Sequence, residues 1–313
     1  MSKVYIKEFS EGIRIDETLL VTNVSRGLTN AGATYLNVEF QDKSGIIDAK
    51  IWDANEEIIE IVQVGNVIKV MGDVLLYRGN LQLRINRVYA LEANEYDITD
   101  FLKASPVDRS QLEEEIMGYI EQIDNEILHT LTLKIVRDHL EEYFTYPAAS
   151  RIHHEFVGGL ATHVLGMLKI ADTLTHLYPF VNKSLLYSGI ILHDFGKTKE
   201  LSGPILTKYT TEGKLLGHIS LMQADLLVFA RELGVQDSEE VMLLRHLILS
   251  HHGEYEYGSP VLPLVVEAEL LTFIDNLDAR INMLDKAMDT IEVGEFTSRI
   301  FSLENRAFYK HNI

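Results

Sequence analysis

The spacing of apolar residues changes character once along this 313-residue chain, and that change constrains the fold more than any other feature. Residues 12–92 alternate at period two with turn residues between the runs, the signature of half-buried strands. Beyond about residue 110, apolar residues recur three to four apart, the spacing of one helix face. With 46% hydrophobic residues the chain can bury full cores, and its length is about twice that of a usual single domain. The expected class is therefore multi-domain, mixed α and β. It has a small barrel over residues 1–95, a polar linker over 96–110 that includes Pro106, and a helical lead-in over 111–150. A helical domain follows over 151–290 and a C-terminal tail over 291–313, the tail carrying no readable period.

The runs Leu19–Val24, Tyr35–Phe40, Ile46–Trp52, Val67–Tyr77 and Leu81–Val88 read as five strands, with a hairpin turn at Arg78-Gly79-Asn80. A short helix over Asn55–Val64 falls between the third and fourth. Five strands with a helix in that gap is the order of the OB-fold, a small barrel that commonly binds oligonucleotides. The segments Ile46 to Trp52 and Val67 to Val88 also resemble nucleic-acid-binding OB domains. Ile47, Ala49 and Ile51 are expected to face the core, which turns Asp48, Lys50 and Trp52 outward. By the same rule Gln82, Arg84 and Asn86 face away from Leu81, Leu83 and Ile85. An outer face with Tyr35, Lys50, Trp52 and Arg84 suits single-stranded nucleic acid, whose bases stack on aromatics while a few cations track the backbone. Trp52 has a plainer reading as a barrel cap or a packing residue against the second domain.

Helical spacing is expected over 110–145, 156–178, 184–193, 217–233, 238–251 and 262–290. The longest apolar stretches fall well short of a membrane span, and the N-terminus MSKVYIKEF has no hydrophobic signal core. Cysteine is absent, which excludes disulfides and thiolate metal sites and fits a reducing, cytoplasmic setting. The formal net charge is −19 and neither half is basic: residues 1–100 hold 10 Lys and Arg against 16 Asp and Glu. A broad basic surface for coating nucleic acid is thereby excluded, so a polyanion must be held by local cations, stacking and metal.

Any metal must sit on His, Asp or Glu, and all 12 histidines lie from His129 onward. His193-Asp194 closes the apolar run Leu185–Leu192, so an imidazole and a carboxylate end a buried helix together; both suit Mn²⁺, Fe²⁺, Co²⁺ or Zn²⁺. His163 lies on the stripe Phe156, Leu160, Met167, Ile170 and Leu174. Asp275 continues Leu264, Ala268 and Leu271, where an apolar core demands a compensating partner. His251 follows Leu244, Leu247 and Ile248, His252 lies beside it, and His218 opens a helix after Gly217. One such histidine is more often a hydrogen-bonded core residue than a ligand. Four or more helices each sending His or Asp inward are harder to explain by packing. Lys197 either faces a scissile phosphate or is a solvated lysine in the charged loop Lys197, Lys199, Glu200; His153, His154 and Glu155 either line the mouth of the site, cap the His163 helix or lie exposed.

The order H…HD…D over His163, His193, Asp194 and Asp275 resembles the HD superfamily of metal-dependent phosphohydrolases. His218, His251 and His252 resemble the additional histidines of its two-metal members, in which the HD aspartate bridges the ions. The OB-then-HD order resembles the YhaM-type 3′–5′ exoribonucleases of Gram-positive bacteria. The resemblance implies a hydrolase of phosphodiester bonds, with two divalent ions, Mn²⁺ first and Co²⁺ or Fe²⁺ as alternatives. It also implies Asp194 and Lys197 in catalysis, release of nucleoside 5′-monophosphates, and single-stranded RNA as partner with single-stranded DNA as a second substrate. No membrane partner is expected, and a homo-oligomer is an open expectation. Two alternatives stand: a nucleotide or cyclic-dinucleotide phosphodiesterase, on His251-His252 followed by Gly258-Ser259-Pro260, and a non-enzymatic RNA-binding protein with a structural metal.

Overall fold

A computed structural model of the chain describes residues 3–29, 32–92, 94–102, 107–148, 156–203 and 207–313. It divides into two compact units, Met1–Ala104 and Ser105–Ile313.

In the first unit, strands β1 (Arg14–Leu28), β2 (Thr34–Asp42), β3 (Gly45–Ile51), β4 (Val67–Tyr77) and β5 (Asn80–Ala90) close into a barrel in the order β1-β2-β3-β5-β4. β3 and β5 run parallel, and the other neighbours are antiparallel. Helix α1 (Glu56–Ile61) sits between β3 and β4, its N-terminus capped by Asn55, whose side chain accepts from Ile58 N at 2.9 Å. Closure removes the free edges that a five-stranded sheet would otherwise expose. The expected inward set is buried: Ile47, Ala49 and Ile51 from β3, and Leu83 and Ile85 from β5. β1 is longer than its apolar run because Arg14 to Thr18 continue the ladder with β4, a backbone pairing that needs no apolar alternation. Residues 96–102, within the expected linker, pack on the barrel. Phe101 is buried, and its carbonyl accepts from Gln41 Nε2 at 2.9 Å.

The second unit holds, among the described residues, α2 (Arg109–Ile120), α3 (Glu126–Asp138), α4 (Leu140–Thr145), α5 (Gly159–Leu177), α6 (Lys183–Leu192), α7 (Lys197–Glu200), α8 (Thr211–Glu232), α9 (Glu239–Ser250) and α10 (Val266–Met288). Starts are marked by capping side chains on Asn125, Asn182, Thr210 and Ser238. α6 is the centre: every residue from Ser184 to Leu192 is buried, which is why its sequence is a continuous apolar run rather than a stripe. Several helices differ from expectation: the segment 110–145 divides into α2, α3 and α4, α5 begins at Gly159, α7 lies outside the expected segments, and α8 and α10 start elsewhere. α8 begins at Thr211, where the Thr210 cap starts a turn of helix, and breaks at Gly217, whose φ of 71° lies in the left-handed region that favours glycine. α10 begins at Val266, and Leu264, expected on its buried stripe, is 80% exposed because Pro260 and Pro263 hold the chain extended before the helix.

The tail folds back on itself through bridges Phe296–Tyr309 and Ile300–Arg306. Lys310 Nζ donates to the carbonyls of Met288 and Ile291, both at 2.8 Å, closing the end of α10. No helix among the described residues is long and apolar enough to cross a membrane.

Since α6 is enclosed on all sides, Leu186→Ala should leave a cavity costing about 2–5 kcal/mol. Urea unfolding followed by helical circular dichroism checks this; a midpoint unchanged from wild type would show that α6 is not the packing centre.

Candidate metal centre

The end of α6 is built to deliver two polar side chains into the interior. The Tyr143 hydroxyl donates to the Ile191 carbonyl at 2.9 Å, satisfying one of the last acceptors of the helix. Phe195, stacked on Tyr143 with ring centroids 5.9 Å apart, turns the chain into α7. His193 and Asp194 therefore emerge buried.

Asp194 lies between two sets of imidazoles. Its Oδ2 is 3.4 Å from His193 Nε2 and 2.6 Å from Lys197 Nζ. Its Oδ1 is 3.5 Å from His218 Nε2 and 3.8 Å from His251 Nε2. Ligand atoms of His163, His193 and Asp194 all lie within 4.8 Å of one another, as do those of His218, His251 and His252. His163 Nε2 is in turn 3.2 Å from Asp275 Oδ1. The structure thus brings all seven residues expected to hold metal, from α5, α10 and the ends of α6 and α9 together with α8 after its break, into one cluster around Asp194.

Every one of the five imidazoles has its Nδ1 occupied from outside the cluster. His193 Nδ1 faces the Ile190 carbonyl at 2.8 Å, His251 Nδ1 that of Ile248 at 2.8 Å, and His252 Nδ1 that of Tyr257 at 2.7 Å. A carbonyl only accepts, so these Nδ1 atoms carry a proton, and in the neutral ring the Nε2 lone pair then faces the cluster. His163 Nδ1 lies 2.7 Å from Asp278 Oδ2, and His218 Nδ1 lies 3.2 Å from Glu200 Oε1. Asp278 and Glu200 are the two participants that sequence reasoning missed. Asp278 is one helical turn beyond Asp275 and so shares its helix face, whereas Glu200 had no spacing signal beyond its place in the charged loop after Lys197. Glu200 has a second task. The break at Gly217 frees the His218 backbone N–H, and the same Oε1 accepts it at 3.1 Å.

Burial would push these groups toward neutrality, and their neighbours decide the outcome. Burial alone would raise the Asp194 carboxyl, but Lys197, His193 and His218 outweigh it and hold it well below the ordinary value. Asp275 is likewise lowered, chiefly by the hydrogen bond from His163. His163, between two carboxylates, is pushed up to about 10 against the opposing effect of burial. His251 and His252 go down, through burial first and neighbouring imidazoles second, so both are neutral. Lys197 is not a solvated lysine: it is mostly buried, and the nearby Asp194 raises its ammonium above the usual range despite desolvation.

These residues fit divalent metal on an observation independent of motif. His193 Nε2, His218 Nε2, His251 Nε2 and Asp194 Oδ1 are buried with no hydrogen-bond partner among the described residues. Several converging lone pairs without a donor are costly in a dry interior. Donor atoms about 2.1 Å from one ion lie about 3–3.5 Å apart, close to the separations here. The cluster opens on a cleft of about 330 Å³, also lined by Tyr257, Thr272, Asn276 and Ala279. His153, His154 and Glu155 lie outside the described residues.

On the barrel, Tyr35 and Trp52 lie with ring centroids 5.2 Å apart, and Lys50 Nζ sits 4.9 Å and 5.2 Å from their centres. Trp52 is 45% exposed, outside the barrel core. Gly27, paired with Tyr35 across the ladder, makes room for that ring, since a Cβ there would collide with it. Arg84 is Lys50's neighbour on β5, but its guanidinium is bound to Asp73 at 2.9 Å, leaving Lys50 as the less encumbered cation of the two.

Residues 160–280 match the HD domain family, and residues 20–91 match a family described as an OB-fold nucleic acid binding domain. The chain is an OB-fold followed by an HD domain. The HD domain indicates a metal-dependent phosphohydrolase, and the OB-fold match points to nucleic-acid binding. Among solved structures, the chain is similar to the second OB-fold domain of replication protein A from Methanococcus maripaludis. The identity is 18% over 29% of this chain and 96% of that one, with a TM-score of 0.24, a likeness confined to the barrel that carries no functional argument.

The double role of Glu200 predicts that Glu200→Ala weakens divalent-metal affinity by about 10–100-fold, as loss of an outer-sphere partner does, with Glu200→Gln less affected. Calorimetric titration with Mn²⁺ checks this; equal affinity in wild type and Glu200→Ala would remove Glu200 from the site.

Proposed function

We propose that the chain is a 3′–5′ exoribonuclease that hydrolyses phosphodiester bonds of single-stranded RNA, with single-stranded DNA as second substrate, and releases nucleoside 5′-monophosphates. The observation that carries this reading is the position of one carboxylate between two ligand sets: Asp194 clusters with His163 and His193, its Oδ2 nearest His193, while its Oδ1 faces His218 and His251. Two divalent ions fit that arrangement, Mn²⁺ first, with Co²⁺ and Fe²⁺ compatible with the same N and O donors.

When bound, the metal supplies an activated water and neutralises phosphate charge. The chain's own residues do the rest. Asp194 and Asp275 hold the site anionic, and neutral His251 and His252 present lone pairs without needing to lose a proton. Lys197 keeps its ammonium 2.6 Å from Asp194 at the wall of the cleft, where it can donate to a phosphate oxygen as charge builds. No protein nucleophile is required.

The barrel supports RNA as substrate despite the net charge of −19, because stacking on Tyr35 and Trp52 does not need a basic surface. In this reading residues 1–95 hold the strand, residues 151–290 cut it, 96–110 link them, 111–150 lead into the HD domain and 291–313 form the tail. The lack of cysteine supports a cytoplasmic setting.

The deciding experiment incubates 5′-labelled single-stranded RNA with the protein and Mn²⁺, Mg²⁺ or chelator. A ladder shortening from the 3′ end, abolished by chelator, is expected; intact RNA alongside cleavage of a cyclic dinucleotide would replace this reading with the cyclic-dinucleotide one. Asp194→Ala should lower kcat/KM by more than about a hundredfold, beyond the loss typical of an outer-sphere partner. Lys50→Ala with Trp52→Ala should raise KM for RNA oligomers about tenfold, since a lost stack is worth about 1–3 kcal/mol, and spare a small chromogenic phosphodiester. Equal losses on both substrates would deny the barrel a role in holding RNA.

A further inference from the structure

The cleft above the metal centre has two unlike walls. One is the centre itself, represented by Asp194, Lys197, His251, His252 and Asp275. The other has no part in the ligand cluster: Thr272, Asn276 and Ala279 follow one another along α10, and Tyr257 stands at the end of a 3-10 turn, Tyr255–Tyr257. In a chain of net charge −19 this second wall carries no carboxylate among the described residues. It is suited to a neutral, planar group lying beside a bound phosphate.

Tyr257 is anchored by its backbone. Its carbonyl accepts from His252 Nδ1 at 2.7 Å, and Gly258, with φ of 95°, closes the turn. Its side chain is free for another task, since the residue is 68% exposed. Tyr257 lines the cleft together with residues of α10, and the Arg280 guanidinium further along that helix is engaged with Glu304 at 3.0 Å. Arg280 is one turn beyond Asn276. The Asn276 amide makes no hydrogen bond among the described residues, so its N–H donors and carbonyl acceptor are available to a ligand. Thr272, in contrast, has its hydroxyl engaged with the Ala268 carbonyl at 3.1 Å. A volume of about 330 Å³ falls within the ~300–1,000 Å³ of small-molecule pockets.

We propose that Tyr257 and Asn276 form a nucleobase subsite. The base of the terminal nucleotide stacks on the Tyr257 ring, the Asn276 amide bonds a base edge or ribose hydroxyl, and the phosphate lies toward Asp194 and Lys197. This rests on the phosphodiesterase reading above and adds to it where the terminal base is gripped. Stacking tolerates all four bases, since each offers a π face, and so suits an enzyme that must remove nucleotides in any order. The same residue then serves both halves of the substrate, its carbonyl orienting His252 beside the phosphate and its ring receiving the base.

The test is calorimetric binding of adenosine 5′-monophosphate and of inorganic phosphate to the full chain with Mn²⁺, in wild type, Tyr257→Ala, Tyr257→Phe and Asn276→Ala. Tyr257→Ala keeps the carbonyl that holds His252, so Mn²⁺ stoichiometry is expected to be unchanged. It should weaken the nucleotide about tenfold while leaving phosphate within about twofold, and Tyr257→Phe should bind the nucleotide like wild type. Asn276→Ala should weaken the nucleotide a few-fold, the effect of one lost hydrogen bond. The proposal is overturned if Tyr257→Ala binds the nucleotide like wild type, if it loses nucleotide and phosphate equally, if its Mn²⁺ content falls, or if wild type binds the nucleotide no better than phosphate. Because binding is read without turnover, these results stand apart from the RNA ladder, which judges the exonuclease reading by itself.

Discussion

A carboxylate buried at the end of a buried helix is the constraint on which the helical unit depends. Asp194 is 3% exposed and remains charged: Lys197 compensates Oδ2, whereas Oδ1 has no hydrogen-bond partner among the described residues and calls for a cation. Lys197 stands three residues on, held by the short helix α7. His251, kept neutral by burial, turns a lone pair toward the other oxygen, and a lone pair crowds unfavourably against a carboxylate unless a cation stands between them. The packing of α5, α8, α9 and α10 around α6 thus concentrates a polar penalty at one point. A fold selected for stability alone has no reason to do so.

The barrel solves a different problem with the opposite means. The chain is acidic throughout, so a polyanion cannot be attracted by an extended field. The outer face built from Tyr35, Lys50 and Trp52 replaces field with contact, one ammonium against two aromatic rings. Arg84, counted with them from strand alternation, is held by Asp73, which Asn86 also approaches at 3.1 Å. Alternation tells which way a side chain points; it does not tell whether a cross-strand carboxylate has already taken its charge.

That distinction separates what was legible in the sequence from what was not. Period-two runs located all five strands, and β4 has the bounds expected, because a barrel core enforces inward apolar positions along each strand. The helix stripes carried His163 and His251 inward for the same reason. Leu264 failed because a stripe extrapolated backwards ignores the two prolines before α10. Glu200 and Asp278 were missed because outer-sphere carboxylates obey no motif; their place is fixed by contact with His218 and His163, which exists only once the helices pack. Lys197 was ambiguous in sequence because burial, the property that settles it, belongs to the fold.

The outer partners reveal an order that the ligand roll by itself does not. Each imidazole trio or pair contains one ring backed by a carboxylate: His163 by Asp278 on one side of Asp194, and His218 by Glu200 on the other. The remaining three rings, His193, His251 and His252, are backed by backbone carbonyls. A carboxylate raises the basicity of the ring it holds more than a carbonyl does, so each side of Asp194 has one strong imidazole donor and otherwise weaker ones. The sides differ in anionic charge near the ligand atoms, since Asp275 faces His163 directly whereas Glu200 acts from behind His218. Two ions bound there would not be equivalent. If the two ions proposed above are bound, the His163 side, richer in carboxylate, would suit the harder ion and the His218 side, richer in neutral imidazole, the softer one.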